Sequence, residues 1–229
     1  MRGPFRYPIP MWRRALRPPA DRSSPAIIRS MSKSKKRAAA GDTVGEGVFQ
    51  HRALGEPLPS FRYHPDPLAT GALVAEEIDC VVCDLRRPYR YAQTMYAFDE
   101  VEPLCPWCIA DGSAAERHDG CFTDSAAPGL RAKPEGFAEV VYRTPGYAGW
   151  QQEDWLAHCG ECCAYLGPVG WKEIEPLQKQ LADDLARIAA ETRTEVDPIY
   201  RHFHRDGNPT GYLFRCLRCD GYRLHWDGT

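Results

Sequence analysis

No run of eighteen or more apolar residues occurs in the 229-residue sequence, and its N-terminus has no apolar core of the signal-peptide kind. A membrane span and secretion are therefore both unexpected, and a cytoplasmic protein is the expectation. In a reducing compartment, clustered cysteines are more often metal ligands or catalytic thiols than disulfides. The body of the chain is also short of positive charge. Residues 60–229 hold 17 Lys+Arg against 27 Asp+Glu, whereas residues 1–59 hold 12 against 4, so a net charge of −2 conceals a basic tail and an acidic body. Non-specific nucleic-acid affinity comes mainly from Lys and Arg on phosphates, so a body of this sign is a poor nucleic-acid binder.

Residues 1–59 are rich in Arg, Pro, Ser and Gly and carry no sustained hydrophobic period, which predicts a disordered tail. Such a tail suits a nucleic-acid arm or an organellar targeting peptide; the plainer readings are a solvated extension, or an upstream start codon with Met31 as the true beginning. Ordered structure is expected from about Phe61.

What the sequence does have is ten cysteines. Eight of them can be written as four Cys-x-x-Cys pairs: Cys80/Cys83, Cys105/Cys108, Cys159/Cys162 and Cys216/Cys219. Cys121 and Cys163 stand outside that count. The first two pairs are separated by 21 residues, close to the spacing of a four-cysteine zinc site. Two thiolates three positions apart on a tight turn can bond one ion, and two such knuckles complete a tetrahedral shell. Between them, residues 89–98 are aromatic and partly alternating, as a ribbon would be, and residues 109–117 suit a short helix after Cys108. The second half repeats the plan at longer range. There Ile174, Leu177, Leu181, Leu185 and Ile188 form one apolar stripe, predicting a core-facing helix over about 173–192 with Pro176 in its first turn.

Together these patterns predict an α+β protein of two small zinc-ribbon-like modules behind a disordered basic tail. Residues 60–135 form the first module; residues 136–229 form the second, with the long helix between its knuckles. About two zinc ions per chain are expected. Cross-pairing of knuckles between the halves stays open. His64, His118, His158, His202, His204 and His225 offer alternative ligands, and of these only His158 adjoins a cysteine; with eight thiolates available, all-thiolate shells are expected.

Thioredoxin-like chemistry is weighed against this at Cys105-Pro106-Trp107-Cys108, which precedes a helix. Four cysteine clusters are better explained by two four-ligand sites, so no catalytic residue is assigned. Tyr147, Trp150, Glu153, Asp154 and Trp155 combine aromatic anchors with acids and form the candidate partner surface, suited to a basic protein. The alternative is that the tryptophans pack over the second knuckle.

Four blocks, FRYHPDPLATGA (61–72), LCPWCIADGSAAE (104–116), RTPGYAGWQQEDWLAHCG (143–160) and GYLFRCLRC (211–219), closely resemble the bacterial CbrC family from about Phe61 to the C-terminus. The resemblance implies a non-enzymatic protein of tolerance or immunity toward a bacteriocin or DNase-type toxin, acting by protein binding. It also implies that Cys159 pairs with Cys163, with Cys162 as the alternative ligand. A zinc-ribbon nucleic-acid regulator and a thiol- or zinc-dependent enzyme remain as other readings.

Overall fold

A computed structural model describes residues 56–192 and 202–228. The expected disordered tail falls on residues 1–59, all but the last four of which lie outside the described residues. The architecture is mixed α and β, with small antiparallel sheets and short helices. Among the described residues no helix is long and apolar enough to cross a membrane.

The first half is ribbon and loop. Strand β1 (Leu73–Val74) pairs with β4 (Arg90–Tyr91), and β2 (Ile78–Asp79) pairs with β3 (Arg86–Arg87), both antiparallel. Helix α1 (Pro106–Ala110) begins directly after Cys105, with Pro106 in its first turn, where a missing N–H costs nothing. Helix α2 (Ser113–His118) follows through Gly112, whose φ of 84° is readily open only to glycine. Cys80, Cys105 and Cys108 are buried with Leu73, Tyr91, Leu104, Ile109 and Phe122 in the first core.

Helix α3 (Phe137–Arg143) leads into the second half. Hairpin β5 (Ala157–His158) and β6 (Glu161–Cys162) precedes a three-stranded antiparallel sheet, ordered β7 (Ala164–Val169), β8 (Thr210–Arg215), β9 (Tyr222–Asp227). The central strand β8 is apolar and buried along almost its whole length, as a middle strand covered on both faces must be. One side of this sheet carries an aromatic core of Tyr147, Trp155, Tyr165, Tyr212 and Phe214. Tyr63, from the first ordered segment, is buried in that same core and donates a hydrogen bond to Glu161.

The apolar stripe of residues 174–188 does face the core: Ile174, Leu181, Leu185 and Ile188 are buried with Val169, Phe203 and Leu224, and Leu177 packs against them. It is not one helix, however. Helix α4 (Trp171–Ile174) passes into a 3-10 turn (Glu175–Leu177), and α5 (Ala182–Thr192) starts anew. Proline lacks the N–H that a continuing ladder needs, although Glu175 before it keeps a helical φ of −49° and ψ of −49°. The break therefore follows Pro176, and the stripe survives because the turns keep helical sense.

Candidate metal centres

The first cluster is built from a knuckle and a helix start. After β2 the chain turns through Cys80–Cys83. The Cys80 N–H donates to Leu85 O (3.0 Å), the Asp84 N–H donates back to Cys80 O (2.9 Å), and Asp84 takes the left-handed φ of 55° that closes the turn. Cys105, immediately before α1, donates its backbone N–H to the Cys80 sulfur at 3.4 Å, and Cys108 lies one turn into the helix. All four sulfurs fall within 4.8 Å of one another. The Cys80–Cys108, Cys83–Cys105 and Cys105–Cys108 separations are 3.9, 3.9 and 3.6 Å. A tetrahedron of zinc–sulfur bonds of about 2.3 Å has edges of about 3.8 Å, so these four residues fit such an ion.

Packed this tightly, the thiols share protons. Hydrogen bonds from Cys105 and Cys108 hold Cys80 far below the usual thiol range. The Cys108 contact pulls Cys105 down, but the Cys80 contact and burial push it to about 12. The same two neighbours and burial push Cys108 up. A divalent cation bound here would let all four ionise. The guanidinium of Arg87 lies 4.6 Å from the Trp107 ring centre and pairs with Glu56 at 2.6 Å. Burial opposes its charge, and Glu56 together with the Cys83 and Cys105 sulfurs outweighs that burial. A buried cation thus stands beside a shell whose four thiolates would exceed the charge of a divalent ion. Trp107, between the two cysteines, is the plate on which it rests.

The second cluster repeats the knuckle. The Cys216 N–H donates to Gly221 O (2.9 Å), the Asp220 N–H donates to Cys216 O (3.1 Å), and Asp220 has φ 58°. These are the bonds and the left-handed aspartate seen at Cys80–Asp84. The other members of this cluster come from the tip of the β5–β6 hairpin, where Cys159 and Gly160 have φ of 52° and 78°. Two successive positive φ values make the two-residue turn that suits strand twist, and they set His158 and Cys159 side by side. His158 Nδ1 is 3.3 Å from Cys159 Sγ and 3.4 Å from Cys219 Sγ. His158, Cys159, Cys216 and Cys219 all lie within 4.8 Å of one another. With zinc–nitrogen bonds near 2.0 Å and zinc–sulfur bonds near 2.3 Å, a tetrahedral edge is about 3.5 Å, so this donor set also fits.

Buried Glu161 fastens hairpin to knuckle: it accepts from Arg218 Nε at 3.2 Å and Arg62 at 2.5 Å, and Arg218 also pairs with Glu135. Burial pushes the Cys216 thiol up, but the backbone N–H groups of Arg218 and Cys219 with the neighbouring side chains bring it down to about 6. The hydrogen bond with Cys219, with burial and Cys216 adding to it, pushes Cys159 up to about 11. The two clusters differ most in access: Cys159 and Cys219 are exposed, whereas Cys80, Cys105 and Cys108 are buried.

Two expectations are corrected here. Cys163, and its alternative Cys162, are not in the second cluster, and His158 takes that place. The turn at Cys159–Gly160 reverses the chain, so both thiols enter the apolar core, where burial pushes each to about 12. The expected partner surface also turns inward. Trp155 is fully buried and donates its Nε1–H to Cys163 O at 2.9 Å, Tyr147 stacks on Tyr165, and Glu153 is buried beneath Tyr96. Asp154 is half-buried and caps the Gly129 N–H. Only Trp150 of the five is well exposed, with its indole N–H on Gly207 O. Large aromatic side chains gain most from burial, which is why this segment forms core. Of the other histidines, His64 is structural: Nδ1–H donates to Pro145 O, Nε2 accepts from Thr70, and burial lowers its pKa to about 4.

A family model described as "Uncharacterised protein family (UPF0167)" matches residues 58–228. The UPF0167 protein Mb2317 of Mycobacterium bovis is 47% identical over 180 residues, covering 75% of this chain and 94% of that relative. The UPF0167 protein PA1536 of Pseudomonas aeruginosa is 42% identical over 183 residues, covering 76% of this chain and 98% of its own length. No solved structure matches significantly.

Proposed function

The chain belongs to the uncharacterised family UPF0167, and from that premise we propose that it is a non-enzymatic zinc-binding protein whose two ions are structural. The observation that carries this reading is that each cluster supplies four protein donors within 4.8 Å of one another. A catalytic zinc keeps one position for water or substrate, and a shell filled by protein ligands does not. Cys80, Cys83, Cys105 and Cys108 would hold one ion; His158, Cys159, Cys216 and Cys219 would hold the other. The ions organise zinc-ribbon-like modules on residues 60–135 and 136–229, with Tyr63 reaching from the first into the core of the second.

The resemblance to the CbrC family adds a cellular role, tolerance to a bacteriocin or DNase-type toxin by binding it. The acidic body, with 27 Asp+Glu against 17 Lys+Arg in residues 60–229, supports a basic protein partner. Metal-loaded full-length protein should retain a DNase-type toxin in a pull-down and protect cells from it; protection without binding would overturn the binding role. A nucleic-acid role would draw on the basic residues of the tail, and strongly salt-dependent DNA binding by the full chain would favour it instead.

A further inference from the structure

Of the ten cysteines, Cys159 and Cys219 alone are exposed. Both belong to the second cluster, and they reach it from different elements, Cys159 from the tip of the β5–β6 hairpin and Cys219 from the knuckle after β8. Their sulfurs lie within 4.8 Å of each other and flank His158 Nδ1, at 3.3 and 3.4 Å. A disulfide spans about 2.05 Å, so closing this pair takes about 2.8 Å of travel at most.

The surroundings allow that travel. A Cβ placed on Gly160, beside Cys159, would meet no atom within 4 Å, so this side of the hairpin tip stands clear. At its base the hairpin is held, because Glu161 accepts from Arg218, the residue before Cys219. The tip can therefore move while staying next to the knuckle. The third thiol of the cluster, Cys216, is fully buried, and its sulfur accepts from the Arg218 N–H at 3.4 Å. The first cluster offers no equivalent pair: Cys80, Cys105 and Cys108 are buried, and Cys83 is half-buried against Arg87.

Accessible thiolates with a second thiol at hand are the ones that oxidise reversibly to disulfides. We propose that Cys159 and Cys219 form a peroxide-sensitive pair, whose oxidation to a disulfide empties the second centre and leaves the first intact. This rests on the zinc-binding reading of the second cluster. One thiolate sulfur attacks hydrogen peroxide: an S–O bond forms, the O–O bond breaks, and hydroxide leaves and takes up a proton as water. The other thiolate then attacks the sulfenic sulfur; an S–S bond forms, the S–O bond breaks, and a second water departs. The two sulfurs lose two electrons, the peroxide gains two, and two protons come from solvent. His158 and Cys216 remain as donors, too few for a closed shell, so zinc affinity drops and the ion leaves.

To test this, zinc-loaded full-length protein is treated with hydrogen peroxide, quenched with catalase, desalted, and divided between elemental analysis and non-reducing peptide mapping. Retained zinc should fall from about two ions per chain to about one. The peptides holding Cys159 and Cys219 should be cross-linked, with near-ultraviolet dichroism of the aromatic core kept. Dithiothreitol with added zinc should bring the second ion back. In Cys219→Ser the Cys159 sulfenic acid lacks its partner and should be captured by dimedone; mapping of the parent gives the answer even if that variant folds poorly. Parent protein without zinc before oxidation would overturn the zinc-binding reading and this inference together. With two ions present at the start, retention of both, loss of both at once, or cross-links that do not join Cys159 to Cys219 would overturn this inference alone.

Discussion

His158 Nδ1 lies 3.4 Å from the sulfur of Cys219, a residue 61 positions further along the chain. That proximity requires the tight turn at Cys159–Gly160, the left-handed knuckle at Asp220 and the Glu161–Arg218 pair that joins them. A second centre with one imidazole and three thiolates carries one negative charge fewer than the all-cysteine centre when both hold the same ion. Among the described residues it also has no counterpart of the buried Arg87.

Access separates the two centres, so metal should leave in two stages. A chromophoric chelator added to native protein should take about one equivalent quickly from the exposed second site and about one slowly, the slow step accompanying loss of near-ultraviolet dichroism. Release of both ions in a single phase would contradict the assignment of burial to the first site.

The two left-handed aspartates permit a backbone test. Asp220→Val should cost about 1–2 kcal/mol in urea unfolding, because a β-branched residue resists positive φ. Asp220→Gly should be neutral or slightly stabilising, and Asp84 should behave in the same way. An equal loss for Val and Gly would place the aspartate's role in its carboxylate instead of its backbone.

Trp155 and Trp150 should separate sharply. Trp155→Ala removes a fully buried ring and should cost about 3–5 kcal/mol, while Trp150→Ala, at a position 51% exposed, should cost about 1 kcal/mol from its hydrogen bonds. Denaturant midpoints decide this, and a folded, undiminished Trp155→Ala protein would restore that residue to a surface role.

Asp184 joins α5 to β9 through two 2.8 Å bonds from Arg223 and one from the Leu224 N–H. Burial pushes its pKa up, but these partners outweigh burial and leave it below the ordinary 3.8. A depressed folded value means that this stabilisation is complete above pH 3.8 and is lost as pH falls through the lower folded value. Asp184→Asn should therefore be less stable than the parent by about 3 kcal/mol at pH 7, the cost of breaking a buried pair. The gap should close as the pH is taken below 3.8, and a gap that stays constant down to pH 3 would contradict this account of the pair.

Much of this architecture can be read from residue spacing. Cys80, Cys83, Cys105 and Cys108 come together as their spacing implies, because each pair lies on one local turn and local turns are a matter of short-range sequence. The stripe from Ile174 to Ile188 likewise reports the buried face correctly. Spacing fails where the outcome depends on chain direction. Cys159/Cys162 has the form of a knuckle, yet Cys159–Gly160 turns the chain back and sends Cys162 and Cys163 into the core. The adjacency of His158 and Cys159 is the one signal that could have found the fourth member of the second cluster. The aromatic loop 147–155 misleads for a similar reason: composition shows which side chains are valuable to bury, but not whether this protein or a partner buries them.

The identity of the second centre is tested most directly by elemental analysis of zinc in purified parent, His158→Ala and Cys163→Ala proteins. About two ions per chain are expected in the parent, about one after His158→Ala, and about two after Cys163→Ala even though that variant is less stable. Loss of one ion with Cys163→Ala and full retention with His158→Ala would contradict this identity.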